Sequence, residues 1–188
     1  MESGSSQPEG TTNGEYSGDL VYAANGMEIP LYRQWEEPWG SAPYGSSTIK
    51  ACGCAPTSIA MVTTYLTGNT VTPEQIVAWT GNRYYVAGTG SSWSIFGACA
   101  GHWGLNCTNL GKNINLVVNS LQDGHPVIAS VGPGTFTKGG HLIVLRGITD
   151  DGKILVNDPA DSASKNHINK AFSLDLIARE SKNFWRFQ

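Results

Sequence analysis

Apolar positions recur along this chain in two rhythms, and the change from one to the other falls near residue 125. Upstream lie helix-competent apolar stretches at 54 to about 67, 73 to about 81, 93–101 and 114–122. Thr72-Pro73-Glu74-Gln75 gives the second of these a capped start, and Gly124 with Pro126 stops the fourth. Downstream the apolar segments are short and bounded by turn residues. They predict strands over 126–131, 141–147, 153–157 and 183–187, with a short helix over 174–180. Helices first and a sheet afterwards predict an α+β domain, with N-terminal helices packed on a C-terminal antiparallel sheet.

The remaining stretches are connections. Residues 1–18 are polar, rich in Gly, Ser and Thr and without apolar period, which predicts a linker or trimmed leader ahead of a domain over 19–188. Ile29-Pro30-Leu31-Tyr32 opens the domain as a short extended piece. Residues 34–49, carrying Trp35, Trp39 and Tyr44, form a long aromatic loop that leads into the first helix. A loop of that length in a compact domain is usually functional. Large amphipathic rings can hold an extended peptide without charge, so Trp35, Trp39, Tyr44 and Trp93 are expected to border a substrate groove.

Composition narrows the function classes. The 188 residues suit one domain, and with 14% charged residues and a net charge of -3 there is no basic face for nucleic acid. No apolar run approaches the roughly 20 residues of a membrane span, and the first residues lack the basic-then-apolar pattern of a secretion signal. A monomer is expected. The four cysteines, at 52, 54, 99 and 107, are too few for a disulfide scaffold, and Cys52-Gly53-Cys54 is not the spacing of a zinc knuckle. Neither a metal nor any other cofactor is expected. One disulfide at most remains if Cys54 is a working thiol, and Cys99 with Cys107 is either that pair or two buried thiols.

The stretch richest in chemistry is Ala51-Cys52-Gly53-Cys54-Ala55-Pro56-Thr57-Ser58. A cysteine at the first turn of a helix meets unpaired N–H groups and the positive end of the helix dipole, which favour the thiolate. Cys54 is therefore either a nucleophile or a small apolar residue filling a helix-to-core contact. Pro56 suits a first turn, and Thr57 or Ser58 can lend a side-chain oxygen to it. His141 follows Gly139 and Gly140 and opens the apolar run 142–145, so its ring projects from the end of a central strand, where those glycines let a substrate come close. His102 and His167 lie among polar residues, and His125 sits in a turn. Asp158 ends the next strand, and Asp-Pro there is either turn chemistry or an orienting carboxylate. A four-residue loop, 148–151, between Gly147 and Gly152 would bring His141 face to face with Asp158, whereas a two-residue Asp151-Gly152 turn would move them several residues out of register.

Gly53-Cys54-Ala55-Pro56-Thr57-Ser58, Gly132-Pro133-Gly134-Thr135-Phe136, Gly139-Gly140-His141-Leu142-Ile143-Val144-Leu145 and Val156-Asn157-Asp158-Pro159 together resemble segments of bacterial papain-like cysteine peptidases. The nearer likeness is to stand-alone relatives of the bacteriocin-leader-processing peptidases, over nearly the whole domain. The resemblance implies Cys54 as nucleophile, His141 as general base and then acid, and Asp158 as the orienting group. It also implies a glutamine ahead of the cysteine as an oxyanion donor, and Gln34 is the upstream glutamine inside the domain. Gln34 could equally be an amide that ties down the aromatic loop.

The chain departs from that family pattern at Ala55, where relatives commonly have glycine. The added methyl is expected to narrow substrate choice. A chain without a membrane span is not expected to couple leader cleavage to export. Free-standing relatives imply a secreted or cell-surface location. The substrate implied is a peptide or protein. Two alternatives keep the mechanism, a cell-wall peptide amidase or endopeptidase and an acyl transferase. A third is a binding domain without turnover, against which the retention of Cys54, His141 and Asp158 argues.

Overall fold

The computed structural model describes residues 26–188, so the linker expected over 1–18 lies outside the described residues. A two-stranded ladder of β1 (Pro43–Tyr44) and β2 (Ser47–Thr48) leads into a short helix, α1 (Ile49–Cys52), and then the central helix, α2 (Cys54–Thr67). There follow α3 (Pro73–Thr80), a hairpin of β3 (Tyr85–Val86) and β4 (Gly90–Ser91), α4 (Ser94–His102), β5 (Cys107–Gly111) and α5 (Ile114–Gln122). The C-terminal part holds β6 (Val127–Val131), β7 (His141–Ile148), β8 (Ile154–Asn157), a 3-10 turn (His167–Asn169), β9 (Ala171–Phe172), α6 (Leu174–Glu180) and β10 (Ser181–Phe187).

Local signals account for most of these boundaries. α3 starts at a capping box in which Thr72 Oγ1 accepts from the Gln75 N–H and Gln75 Oε1 accepts from the Thr72 N–H. Asn113 Oδ1 accepts from the N–H groups of Asn115 and Leu116 and so starts α5. α2 begins differently, with glycine rather than a capping side chain ahead of it. The Gly53 N–H donates to Ile49 O at 2.7 Å, and a Cβ on Gly53 would lie 2.5 Å from that same oxygen. α1 therefore turns into α2 about a residue that must lack a side chain. Thr57 and Ser58 do not supply the expected oxygens to this turn, since both are buried and their hydroxyls have no hydrogen-bond partner.

Residues 55–63 of α2 are all buried, and the helix packs on β7, α3 and α4. A helix apolar on every side must lie inside. The six-stranded sheet has the order β5-β10-β6-β7-β8-β9 and is antiparallel throughout. Every residue of β6, and all but the last of β7, is buried, so both faces of the sheet centre are covered. The expected α+β architecture is the one found.

The β7–β8 hairpin differs from the expected register. Val144 pairs with Asn157 and Leu145 with Val156, and the ladder then shifts at Arg146 so that Gly147 meets Leu155 and Ile148 meets Ile154. The loop runs over 149–153 instead of 148–151. Thr149 closes it, because its N–H donates to Lys153 O at 2.8 Å and its Oγ1 accepts from the Lys153 N–H at 3.0 Å. Asp158 consequently lies one diagonal step from His141 instead of directly opposite. The slip is of two residues, so both side chains still project from the same face. The short piece 29–32 is buried but joins no ladder; Asn157 Nδ2 donates to Ile29 O and Pro30 O.

Candidate active site

Three elements converge at the start of α2. Cys54 is its first residue, and the first helical hydrogen bond in it runs from the Thr57 N–H to Gly53 O, which leaves the earlier N–H groups outside the helical pattern. His141 is the first residue of β7, fixed by pairing with Val131 of β6. Asp158 follows β8 directly and is wholly buried. A cleft of about 610 Å³ opens between them, with Gln34, Cys54, Tyr85, Gly140, His141 and Lys182 among its lining residues.

The histidine stands between the thiol and the carboxylate. Its Nε2 lies 2.6 Å from Asp158 Oδ1, so with the carboxylate as acceptor Nε2 carries the proton and Nδ1 is the free ring nitrogen. Burial works against a charged His141 ring, but hydrogen bonds to Asp158 and Cys54 and the charges of both outweigh it, and its pKa is raised to about 9. Burial likewise disfavours the Asp158 carboxylate. Hydrogen bonds from His141 and His167, the His141 charge and the Ala160 N–H nevertheless hold it well below the usual carboxylate range.

Gln34 is buried and anchored at both levels. Its N–H donates to Pro159 O at 2.8 Å, and its side-chain Nε2 donates one hydrogen to Lys50 O at 2.9 Å. A carboxamide nitrogen has a second hydrogen. Gln34 lines the cleft together with Cys54.

The aromatic residues expected at the groove are distributed otherwise. Trp39 and Tyr44 are each only 1% exposed and belong to the core. Trp39 Nε1 donates to Arg33 O and its ring packs on Tyr32, while the Tyr44 hydroxyl bonds Ser91 and its ring meets the edge of Tyr85. Trp35 and Trp93 are 43% and 47% exposed but do not line the cleft. Trp35 Nε1 donates to Asp161 O, and Trp93 stands edge-on to Trp185. Tyr85 lines the cleft instead. Gly140 lines the cleft and a Cβ there, or on Gly139, would meet open space, so the bare backbone leaves room for a ligand. The Ala55 methyl is buried and away from the lining, so it does not narrow the cleft as expected.

Of the two readings of Cys99 and Cys107 the disulfide is not formed, and all four cysteines are free thiols. Burial pushes Cys99 up to about 12 and Cys107 up to about 11, and it also raises Cys52. Among the described residues no group of three or more His, Cys, Asp or Glu side chains is arranged to hold a metal ion. The residue that sequence reasoning missed is His167. It is buried, with Nδ1 2.8 Å from Asp158 Oδ2. It lies among polar residues in the sequence, and no spacing rule links it to Asp158.

A cysteine at the start of a buried helix, set against a histidine on an antiparallel sheet, defines the class of papain-like thiol hydrolases. The profile of the Peptidase_C39 like family matches residues 27–186, and the chain belongs to that family. It is a cysteine peptidase. No curated protein matches it. Among solved structures it is similar to a protein from Bacillus anthracis described as a C39-like peptidase, at 17% identity and a TM-score of 0.53, covering 86% of this chain and 95% of that one. It is also similar to the peptidase domain of Streptococcus ComA, a bifunctional ABC transporter of a quorum-sensing pathway (16% identity, TM-score 0.55, 73% and 90% covered). A double glycine motif protease from an AMS/PCAT transporter, in complex with the leader peptide, gives 20% identity and a TM-score of 0.53 over 87% and 94%. Among the described residues, no helix is long and apolar enough to cross a membrane.

Proposed function

We propose that this peptidase hydrolyses a peptide bond through a thioester on Cys54, with His141 as base and then acid, Asp158 as orienting group and Gln34 as oxyanion donor. The observation that carries this reading is the position of His141, hydrogen-bonded through Nε2 to Asp158 and coupled to Cys54 inside the same cleft. The Cys54 sulfur, its proton held on His141 Nδ1, attacks the carbonyl carbon, and the carbonyl π electrons move onto oxygen. The Gln34 amide and the Cys54 N–H receive that negative charge. Collapse re-forms the carbonyl and breaks the C–N bond, and His141 Nδ1 gives its proton to the departing amine. Water then attacks the thioester while His141 takes a proton from it; the carboxylic acid leaves and the thiol is restored.

The cleft wall leaves room for a peptide backbone to come close to the thiol. Ala51, Gly88, Gly90 and Gly140 line it, and Gly90, at φ +110, holds a backbone conformation that excludes a side chain. One solved neighbour is described as a double glycine motif protease bound to a leader peptide. A substrate with paired small residues is accordingly the proposed class for this chain.

The test combines labelling with cleavage. With Cys52, Cys99 and Cys107 held protonated by burial, iodoacetamide near pH 7 should modify Cys54 first, as read by peptide mapping. Cys54→Ala should abolish cleavage of a peptide carrying Gly-Gly or Gly-Ala. Equal labelling of all four thiols, or cleavage surviving in Cys54→Ala, removes the nucleophile assignment.

A further inference from the structure

Asp158 is a shared carboxylate. Its Oδ1 lies 2.6 Å from His141 Nε2 and accepts the Ala160 N–H at 2.8 Å, while its Oδ2 lies 2.8 Å from His167 Nδ1 and 3.7 Å from the Lys165 ammonium. Two imidazoles thus approach the same group from opposite sides. Only His141 lines the cleft; His167 packs edge-on against Phe136 and Phe172, with centroid distances of 5.2 and 5.5 Å.

We infer that His167 is a positioning residue for the reaction, donating its Nδ1–H to Asp158 Oδ2 and thereby holding the carboxylate in the rotation that presents Oδ1 to His141. This rests on reading Asp158 as the orienting group. The carboxylate torsion of an aspartate is broad and two-fold, so one hydrogen bond leaves the group free to swing. A second donor on the other oxygen fixes it. The chain spends several contacts on placing that donor. Asp161, buried, accepts the N–H groups of Ser162 and His167 on Oδ1 and of Ile168 on Oδ2, each at 2.9 Å, so the turn carrying His167 is wound around a carboxylate of its own. The Asp161 N–H in turn donates to Asp158 O at 2.9 Å, tying both carboxylates into one loop. Phe136, against which His167 packs, belongs to the segment between β6 and β7 that delivers His141.

Hydrogen-bond logic fixes the protonation pattern. An ionised carboxylate only accepts, so His141 must carry a proton on Nε2 and His167 one on Nδ1. A histidine that merely filled space between Phe136 and Phe172 would carry no such requirement, and neutral imidazole could hold its proton on Nε2.

The test uses the full chain in two measurements. Two-bond proton–nitrogen correlation on uniformly labelled protein should find His167 protonated on Nδ1, and a bare Nδ1 overturns the inference. In turnover assays His167→Ala should lower kcat about 10- to 100-fold, the loss of one hydrogen bond to a buried charge. KM should stay within about twofold, because no substrate contact is removed. His167→Asn, whose amide nitrogen falls near Nδ1, should recover most of kcat. Wild-type kcat in His167→Ala, or an asparagine variant no better than alanine, refutes a positioning role. If His167→Ala does not fold, the nitrogen spectrum and the asparagine variant still decide. Asp158→Ala separates the two levels of the argument. A fully active Asp158→Ala sinks the assignment of Asp158 itself, whereas an impaired Asp158→Ala beside an unimpaired His167→Ala sinks only the role of His167.

Discussion

Replacing Asp158 tests how much of the chemistry depends on charge and how much on orientation. The raised His141 pKa, about 9 against an ordinary 6.5, corresponds to ~3 kcal/mol in favour of the imidazolium at 1.36 kcal/mol per unit. Asp158 and Cys54 share that preference. Asp158→Asn removes the charge but keeps an oxygen that can accept from His141 Nε2–H, while its amide N–H can face His167 once that ring holds its proton on Nε2 instead. If Asp158 accounts for about half of the preference, ~1–2 kcal/mol, kcat/KM should fall about 5- to 30-fold. Asp158→Ala also leaves the donors of His141, His167 and Ala160 without an acceptor in a buried place. It should cost on the order of 3–5 kcal/mol in stability, as removal of one partner from a buried charged pair does, and at least about tenfold more activity than the asparagine variant. The assay is kcat/KM on a cleavable peptide, with urea unfolding and circular dichroism to confirm that each variant is folded. Unimpaired kcat/KM in a folded Asp158→Ala would leave Cys54 and His141 as a dyad and refute the reasoning.

Gln34→Ala should lower kcat about 100- to 1,000-fold with little change in KM, as loss of one oxyanion donor does; an equal effect on KM alone would make Gln34 a loop tether through Lys50 O and nothing more. The His141 pKa also sets two alkaline limits. Because it is raised in the folded state, its contribution to stability is fully present below about 6.5 and lost as pH rises through about 9, so the urea midpoint should decline across that window. Peptide hydrolysis should fall through the same range for want of a proton for the leaving amine, while alkylation of Cys54, which needs no acid, should not; a parallel loss of both would contradict the assigned acid role.

Much of this molecule was legible because its local signals agree with its tertiary environment. α3 and α5 lie within a residue or so of where their caps and stops place them, and β6, β7 and β10 follow from short apolar runs bounded by turn residues. Cys54 at a helix start and His141 at a strand start were legible for the same reason, since each marks the beginning of an element. The hairpin register was not, because Thr149 chooses the loop through side-chain bonds that compete with the glycine-flanked turn, and the bulge at Arg146 absorbs the difference. Trp39 and Tyr44 were misplaced because aromatic residues in a loop look alike whether they face solvent or fold back under it. His167 was hidden more completely. Its burial depends on Asp161 capping a three-residue turn, a contact between residues that carry no periodic pattern.

The division of the site between helix and sheet has an evolutionary consequence. Cys54 rides on α2, whereas His141 rides on β7 and Asp158 directly follows β8, and the two layers meet through residues such as Met61, whose sulfur lies 3.8 Å from the Asn157 amide, one position before Asp158. The gap across which a proton must travel is therefore set by the thickness of the packing beneath it. Substitutions drifting through that packing in a lineage would retune turnover while every chemically acting side chain stayed the same, so rates among descendants could diverge along the interior of the molecule with the cleft left untouched.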